Sequence, residues 1–412
     1  MNALSPVSPK PDHVAEEAVY DFDMFLDDAL LTDPHERVRQ ILRDAPPVFW
    51  TPRNGGHWII MGHRENYEAS RDTETFSSEL FPSEILPGIL AAMPGATHLP
   101  LPTPINLDPP SHTRFRAPLN PAFSPKAMIA RKEEIRALTN SLIDAVIEQG
   151  HCDVIPAIAE PLPVQVFLKM MGLPIERSAE FRDLVHEFLS PATSMLDPFL
   201  RMRKVADAMK GEIEARRTDP RDDLLSLLWK TEIDGEPMTH ETMEDFAVLL
   251  FIAGLDTVIN GIGYGIRHLA CNPDLQEKIR ENPKLIVEAA EEILRRYTFT
   301  VPTRRIAKDV EFGGWQMKEG DKLMLYLPGA DLDEREFANP EAYDLGRENK
   351  VHIAFGVGPH RCLGSHLARV ELQVVYEQMV ARLPNFRLDV DKPAKFHGGN
   401  IIAIDSLPIR WD

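Results

Sequence analysis

Cysteine is scarce in this chain, with Cys152, Cys271 and Cys362 the only three among 412 residues. So odd and sparse a set argues against a disulfide framework and for a reducing compartment, and it leaves ligand or nucleophile as the special task a cysteine could carry. The sequence also lacks a G-x-G-x-x-G dinucleotide fingerprint, a C-x-x-C pair and clustered cysteines, so it has no flavin, nicotinamide or iron–sulfur site of its own. No internal repeat and no Gly/Ser linker divides it, and a single domain over residues 1–412 is expected, with residues 1–18 a flexible N-terminal segment. The opening stretch MNALSPVSPKPDHVAEE has prolines and early charges but no apolar core, which does not read as a signal peptide and places the protein in the cytoplasm. Basic residues are outnumbered, 45 Lys and Arg against 64 Asp and Glu, for a net charge of −19. That balance argues against nucleic acid and anionic membrane as general partners, while leaving room for a local basic patch.

What is present suffices for a large core, since 43% of residues are hydrophobic and 26% charged, in no long biased tract. The stretch FAVLLFIAGLDTVINGIGYGI, residues 246–266, approaches a membrane span in length with a single charge. Asp256, Thr257, Asn260 and four glycines would be costly against lipid, so the spacing predicts a helix buried through a globular protein, from about Thr239, a plausible N-cap, to Cys271 before Asn272-Pro273. A second helix is expected in residues 130–150, where Ile135, Leu138, Leu142, Ile143 and Val146 recur at helical spacing and Gly150 fits a C-cap. Short strands are expected near 57–62, 310–317 and 321–328. The fold class is therefore mainly α with small β-sheets. The proline-rich residues 82–110 read as a long loop with one short helix, the kind of segment that serves as a lid or binding loop.

One cysteine stands apart, in FGVGPHRCLGSHLARVELQ at residues 355–373. Cys362 could be no more than a small buried hydrophobe. Yet Gly356, Gly358 and Gly364 let backbone pass close to something flat or bulky, and delivery to the start of the helix that follows favours a thiolate. Zinc is a weaker reading: His360, Cys362 and His366 are near one another, but two are only two residues apart and no C-x-x-C partner exists.

The pattern Phe355-Gly356-x-Gly358-x-His360-x-Cys362-x-Gly364 resembles the haem-binding loop of cytochromes P450. Glu292-Ile293-Leu294-Arg295 is similar to the family's Glu-x-x-Arg motif, and Phe337-x-x-Pro340-x-x-Tyr343-x-x-x-Arg347 to the meander whose arginine completes that network. Ala253-Gly254-Leu255-Asp256-Thr257 resembles the oxygen-binding kink of the central helix. GGHWI, FSSE, GLDTVIN, EEILRR and LPIRWD look closer still to the bacterial camphor-hydroxylating members. Glu-x-x-Arg alone is usually an exposed helix pair, but three motifs in the family's order are not a coincidence of composition.

The resemblance implies haem b held between the long central helix and the cysteine loop, with Cys362 as axial ligand of the iron. A thiolate pushes electron density onto the iron and favours O–O cleavage. Two haem propionates in a largely dry pocket need cationic or hydrogen-bonding partners, and His112, Arg116, Arg304 and His360 stand at the matching positions. Phe355 and Gly364 belong to the same cofactor-binding loop. Asp256 and Thr257 match the acid and alcohol that deliver protons during oxygen activation. In the camphor enzymes basic residues of the facing helix tether that acid; here FRDLVHEFLSP offers Arg182 and His186 but serine at position 190.

The substrate side departs from the camphor enzymes. They anchor a ketone with a tyrosine before Asp-Pro-Pro, whereas residues 80–107 contain none and the loop is longer. His98 either takes that place or is an exposed loop residue. Leu249, Ile252, Ala253, Thr300, Val301, Asn400 and Ile401 match substrate-facing positions, a mostly apolar lining with two polar handles, so a compact terpenoid or norisoprenoid is expected and camphor fits less well. The activity implied is a haem-thiolate monooxygenase inserting one atom of O2 into a C–H bond. Its electrons would come from a [2Fe–2S] ferredoxin with an NAD(P)H-dependent reductase, docking near Arg71, Arg114, Arg116, Lys350 and Arg361. A peroxide-driven peroxygenase and a non-catalytic haem-binding sensor are the alternatives, both disfavoured by the intact Asp256-Thr257 pair.

Overall fold

A computed structural model describes residues 4–412 apart from 82, 94, 190–193 and 195. Its centre is the segment expected to be one long helix, which forms two in line, His240–Gly254 and Asp256–Cys271, meeting at Leu255. Thr239 caps the first, its hydroxyl accepting from the Thr242 N–H at 3.2 Å, and Pro273 opens the next helix after Asn272. By length and composition the pair could cross a membrane, but 72% of its most apolar window is buried inside the protein, as expected of a core helix apolar on all sides.

Helices Ser365–Arg382, Ile286–Arg296 and Asp197–Thr218 pack around this axis, and Lys132–Asp144 packs on Ser365–Arg382. Lys132–Asp144 buries Ile135 and Ile143, and its run ends at Gly150 with φ +73°, as the spacing predicts. The second half of the central helix and Ser365–Arg382 approach closely. A Cβ at Gly265 would stand 2.1 Å from Tyr376 Oη, and that hydroxyl donates to the Gly261 carbonyl at 2.6 Å. Gly261 also faces Leu372. From 261 and 265 against 372 and 376 the two helices run in the same sense, so the break at Leu255 lies about as far upstream on one as Gly364 does on the other.

The expected strands form. Val48–Thr51, His57–Ile60, Lys322–Leu325, Thr303–Ile306 and Phe76–Ser77 make one five-stranded sheet, with only the His57–Ile60 and Lys322–Leu325 pair parallel, and Val310–Phe312 pairs with Trp315–Met317 as a hairpin. A smaller apolar core covers the sheet, and it corrects one expectation. Residues 1–18 do not form a loose segment from residue 4 onward. Val14 and Ala18 are fully buried in this core, Glu16–Ala18 is a helical turn, and the Ser8 N–H donates to the Pro52 carbonyl at 2.8 Å. The proline-rich stretch holds the one short helix expected, Leu86–Ala91.

Candidate functional site

The cysteine loop is tied to itself: Cys362 N–H donates to Phe355 O at 2.8 Å, Gly356 N–H to Ile353 O at 2.7 Å and Arg361 N–H to Gly358 O at 3.1 Å. Gly358 takes φ +73°, and a Cβ there would lie 2.6 Å from the Ser70 carbonyl oxygen, so glycine alone lets the loop settle against Ser70 and Arg71. The loop delivers Cys362 to the N-terminal end of Ser365–Arg382, where free N–H groups and the helix dipole favour an anion. The residue is open to solvent, yet the protein around it makes burial the largest influence on its thiol, pushing it above the ordinary value. The Gly364 N–H and the Arg116, Arg361 and Arg369 guanidiniums act the other way, towards thiolate. Arg369 is fixed for that task, stacked 4.5 Å from the Phe355 ring centroid and paired with Glu291 at 2.6 Å.

Beside the loop lies a wall of two arginines and two histidines. His112, in the short helix Ser111–Arg116, and His360 have ring centroids 4.2 Å apart, Arg304 comes from the sheet, and Arg116 Nη2 donates to the Arg361 carbonyl at 2.6 Å. Burial first, then the neighbouring cations, push His112 down to about 4, and burial pushes Arg304 down to about 10. Asp108 is the acid among them. It accepts from Ser77 Oγ at 2.5 Å and the Ser78 N–H at 3.0 Å, and it lies 3.7 Å from His360, whose Nε2 is 3.0 Å from Ser78 Oγ. His112 Nδ1 and Arg304 Nε are buried without a protein partner. Excess positive charge and orphaned donors fit a ligand carrying carboxylates, as haem does with its propionates. No group of three His, Cys, Asp or Glu side chains suited to a metal ion occurs among the described residues, so the zinc reading of His360, Cys362 and His366 gains no support.

At the helix break, Thr257 Oγ1 donates to the Ala253 carbonyl at 3.2 Å, a side chain intruding on the helical ladder. Next to it Asp256 is pushed up to about 6, mainly by burial and also by Asp405, against the opposing effects of His397 and Asn260. The fully buried Asn260 donates to both the Asp256 carbonyl oxygen at 2.9 Å and its carboxylate at 3.2 Å, while Asn260 Oδ1 accepts from the Ile404 N–H at 2.8 Å. The facing helix differs from expectation. Arg182 donates to Glu160 at 2.9 Å, and His186 Nε2 lies 3.5 Å from the same carboxylate; position 190 lies outside the described residues.

The lining residues assemble as two walls. Leu249, Ile252 and Ala253 come from the first half of the central helix. Thr300 and Ile401 form a β-bridge, and the Val301 N–H donates to the Asn400 carbonyl at 2.8 Å, which brings these four residues side by side. His98 is placed elsewhere. Its Nε2 is 2.8 Å from Asp245 Oδ1, which also accepts from the Leu101 N–H at 3.0 Å, beside a cavity of about 260 Å³ that Arg203, His240 and Glu244 help line. The Asp245 hydrogen bond raises His98 above its ordinary value; burial outweighs the pull of His98 on Asp245, whose carboxyl is also raised.

Behind the cysteine loop, buried Glu292 receives Arg295 Nη2 at 2.8 Å and Arg347 Nε at 3.1 Å, so the Glu-x-x-Arg pair and the meander arginine meet in one network. Of the cations expected on the cysteine side, Arg71 lies against Gly358 and stacks on Tyr67, Arg114 pairs with Asp234, and Lys350 and Arg361 are exposed. Sequence reasoning missed Asp108 as the wall's acid, Asn260 as a clamp, Asp245 as the partner of His98, and the pair His397 and Asp405. Asn260 did carry a signal, one helical turn after Asp256 within GLDTVIN, but its second partner Ile404, like the partners of Asp108, Asp245 and His397, is brought in from another element.

The comparisons agree with this geometry. Residues 159–410 match the sequence pattern of the Cytochrome P450 family. The chain is 35% identical to "Probable cytochrome P450 127A1" of Sinorhizobium fredii over 98% of its length and 97% of that protein's. It is also 35% identical to the steroid C26-monooxygenase of Mycobacterium tuberculosis, covering 89% of this chain and 98% of that one, and 29% identical to the linalool 8-monooxygenase of Pseudomonas putida, covering 91% and 95%. The solved structures of CYP101J2 and CYP101C1 superpose with TM-scores of 0.87 and 0.87 at 32% and 31% identity, covering 98% of this chain and 100% of each. The chain therefore belongs to the cytochrome P450 family, with that family's fold and haem b cofactor, and is a P450 monooxygenase.

Proposed function

We propose that this monooxygenase inserts one oxygen atom of O2 into a C–H bond of a compact terpenoid or norisoprenoid bearing one oxygen function, with electrons from a [2Fe–2S] ferredoxin and its NAD(P)H-dependent reductase, in the cytoplasm. The observation that supports the substrate class is the backbone pairing of residues 299–301 with 400–402, which brings Thr300, Val301, Asn400 and Ile401 together; with Leu249, Ile252 and Ala253 they would make an apolar lining with two polar handles. One or two polar handles in an apolar wall orient a compact molecule with one carbonyl or hydroxyl. The relative named for linalool, a small terpene alcohol, supports this class, and the relative named for steroids supplies the larger competitor.

When bound, haem supplies the redox iron at which oxygen is reduced and activated. Cys362 would hold that iron through a thiolate favoured by the Gly364 N–H and three guanidiniums. His112, Arg116, Arg304 and His360 would hold the propionates, using the orphaned His112 Nδ1 and Arg304 Nε. Phe355 and Gly364 would belong to the loop that holds the haem. Thr257, with its proton committed to the Ala253 carbonyl, keeps lone pairs to receive a hydrogen bond, and Asp256 at about 6 holds a proton for part of the time at neutral pH and would serve as the acid beside it. Arg71, Arg114, Arg116, Lys350 and Arg361 give an acidic ferredoxin a basic face despite the negative overall charge.

Two measurements test the reading. Carbon monoxide added to the ferrous protein should give the red-shifted Soret band of thiolate-ligated haem, absent in Cys362→Ala; the same band in that variant would overturn the assignment. In a ligand panel scored by the low-spin to high-spin shift of the haem, compact terpenoid ketones and alcohols should bind best. A panel in which only steroids or long branched lipids shift the spin state sinks the substrate class.

A further inference from the structure

We infer that His397 and Asp405, on the C-terminal hairpin, form the solvent entry of the proton path to Asp256, an inference that rests on the reading of Asp256 and Thr257 as the proton pair. The hairpin pairs Lys395–His397 with Ala403–Ser406, and His397 Nδ1 stands 2.7 Å from Asp405 Oδ1 across it. Both side chains are about half exposed, at 54% and 46%. A surface pair of this kind contributes little to stability, about 0–1 kcal/mol, so its placement is the informative feature.

That placement is set by Asn260. One amide holds the Asp256 carboxylate with its Nδ2 and the Ile404 N–H with its Oδ1, and Ile404 immediately precedes Asp405. The half-buried acid and the exposed dyad are thereby tied into one arrangement through a side chain that is itself fully buried. Among the described residues, the charged groups acting on Asp256 are these two, His397 lowering its pKa and Asp405 raising it, and Asp256 in turn helps raise His397. The basic residues of the facing helix are engaged elsewhere, Arg182 and His186 both lying at Glu160. Because Asp405 holds Nδ1–H, Nε2 of His397 is the nitrogen left to exchange with solvent. The step is a proton transfer alone. Solvent protonates the imidazole at Nε2, the imidazolium gives a proton through water to the Asp256 carboxylate, and the neutral ring is recharged from solvent, with no electron moved.

The test uses the haem-loaded protein with its redox partners. His397→Gln should lower product formed per O2 consumed about tenfold, a modest share of what a positioned acid or base contributes, and enlarge the solvent isotope effect. Asp405→Asn, nearly isosteric, removes the anion that keeps His397 protonated. Its product yield should fall off at lower pH than in the wild type, a displacement that mere damage to the hairpin would not produce. A readout without turnover comes from 13C-carboxyl NMR of aspartate-labelled ferrous carbon monoxide complex, with Asp256 assigned through Asp256→Asn. Loss of the His397 cation should move its titration midpoint upward. If the yield, the alkaline limb and the Asp256 midpoint all match wild type, the relay is wrong; should His397→Gln fail to fold, the limb in Asp405→Asn decides alone. Unchanged yield in Thr257→Ala would instead sink the acid and alcohol reading itself, so the two failures are distinct.

Discussion

Replacing Glu292 by glutamine asks whether the buried network is held by charge or by hydrogen bonds that any amide would keep. Glu292, Arg295 and Arg347 are 5%, 1% and 7% exposed. Four donors converge on the carboxylate. Oε1 accepts from Arg295 Nη2 at 2.8 Å, Arg347 Nε at 3.1 Å and the Asp344 N–H at 3.1 Å, and Oε2 accepts from Arg295 Nε at 2.9 Å. Glutamine with its oxygen on the Oε1 side keeps three of these. It loses the charge, and its amide nitrogen then faces Arg295 Nε, donor against donor. Backbone carbonyls soften the loss, since Arg295 also donates to Asp331, Pro340 and Ala342 and Arg347 to Ala338, Asn339 and Ala342.

Removing one member of a buried ion pair costs about 3–5 kcal/mol, and the retained bonds put Glu292→Gln near the lower end, at about 3 kcal/mol, with Glu292→Ala near the upper. Denaturant unfolding of the holoprotein followed by circular dichroism measures this, with haem absorbance as a second probe because residues 331–347 lead into the cysteine loop. A loss of under about 1 kcal/mol for the glutamine variant would show that the triad behaves as an exposed pair does, and the charge argument would fail.

Glu371 predicts the opposite sign for the same substitution: it is fully buried, its Oε2 has no partner among the described residues, and burial pushes it up to about 8. The folded protein bears no penalty below the ordinary carboxyl range and a growing one as pH rises towards 8, so at about 1.4 kcal/mol per pH unit Glu371→Gln should stabilise by up to roughly 4–5 kcal/mol at alkaline pH and flatten the slope; an unchanged slope refutes it. His98 tethers the proline-rich loop to Asp245, and because its pKa is raised, that contribution is full below the ordinary histidine value, as long as Asp245 stays ionised, and is lost as pH rises through the raised value. Hydrogen exchange in residues 93–101, corrected for intrinsic rates, should therefore quicken with pH in wild type and be uniformly fast in His98→Gln; a wild-type segment indifferent to pH would sink the tether.

What was legible in the sequence was what local geometry demands. The cysteine loop needs left-handed glycine at a fixed offset, as Gly358 shows against Ser70, and the Glu-x-x-Arg spacing puts two side chains on one helix face. The central helix was legible in extent, from the Thr239 cap to Asn272, though its division at Leu255 shows only in coordinates, where the Thr257 hydroxyl takes the Ala253 carbonyl. Hidden were the pairings across distance. His98 meets Asp245 147 positions away, Asn260 meets Ile404 144 positions away, and residues 4–18 dock on a sheet built from four other regions. No periodicity encodes such contacts, because each side chain sits on an element whose own pattern is satisfied without it.

The acid at the helix break shows why the hidden contacts matter most to function. A half-buried carboxylate in so apolar a helix is pushed towards its neutral form, and once it has given its proton the rate of recharging depends on what links it to solvent. Asn260 counters the first problem by holding the carboxylate, and the hairpin it also holds counters the second by bringing an ionisable pair from the surface to the same place. The family motif supplies Asp256 and Thr257. On the proposed relay, their turnover depends on a clamp one helical turn along, Asn260, and on a dyad from the C-terminal hairpin, so two members with the same motif can differ in coupling according to what that hairpin carries.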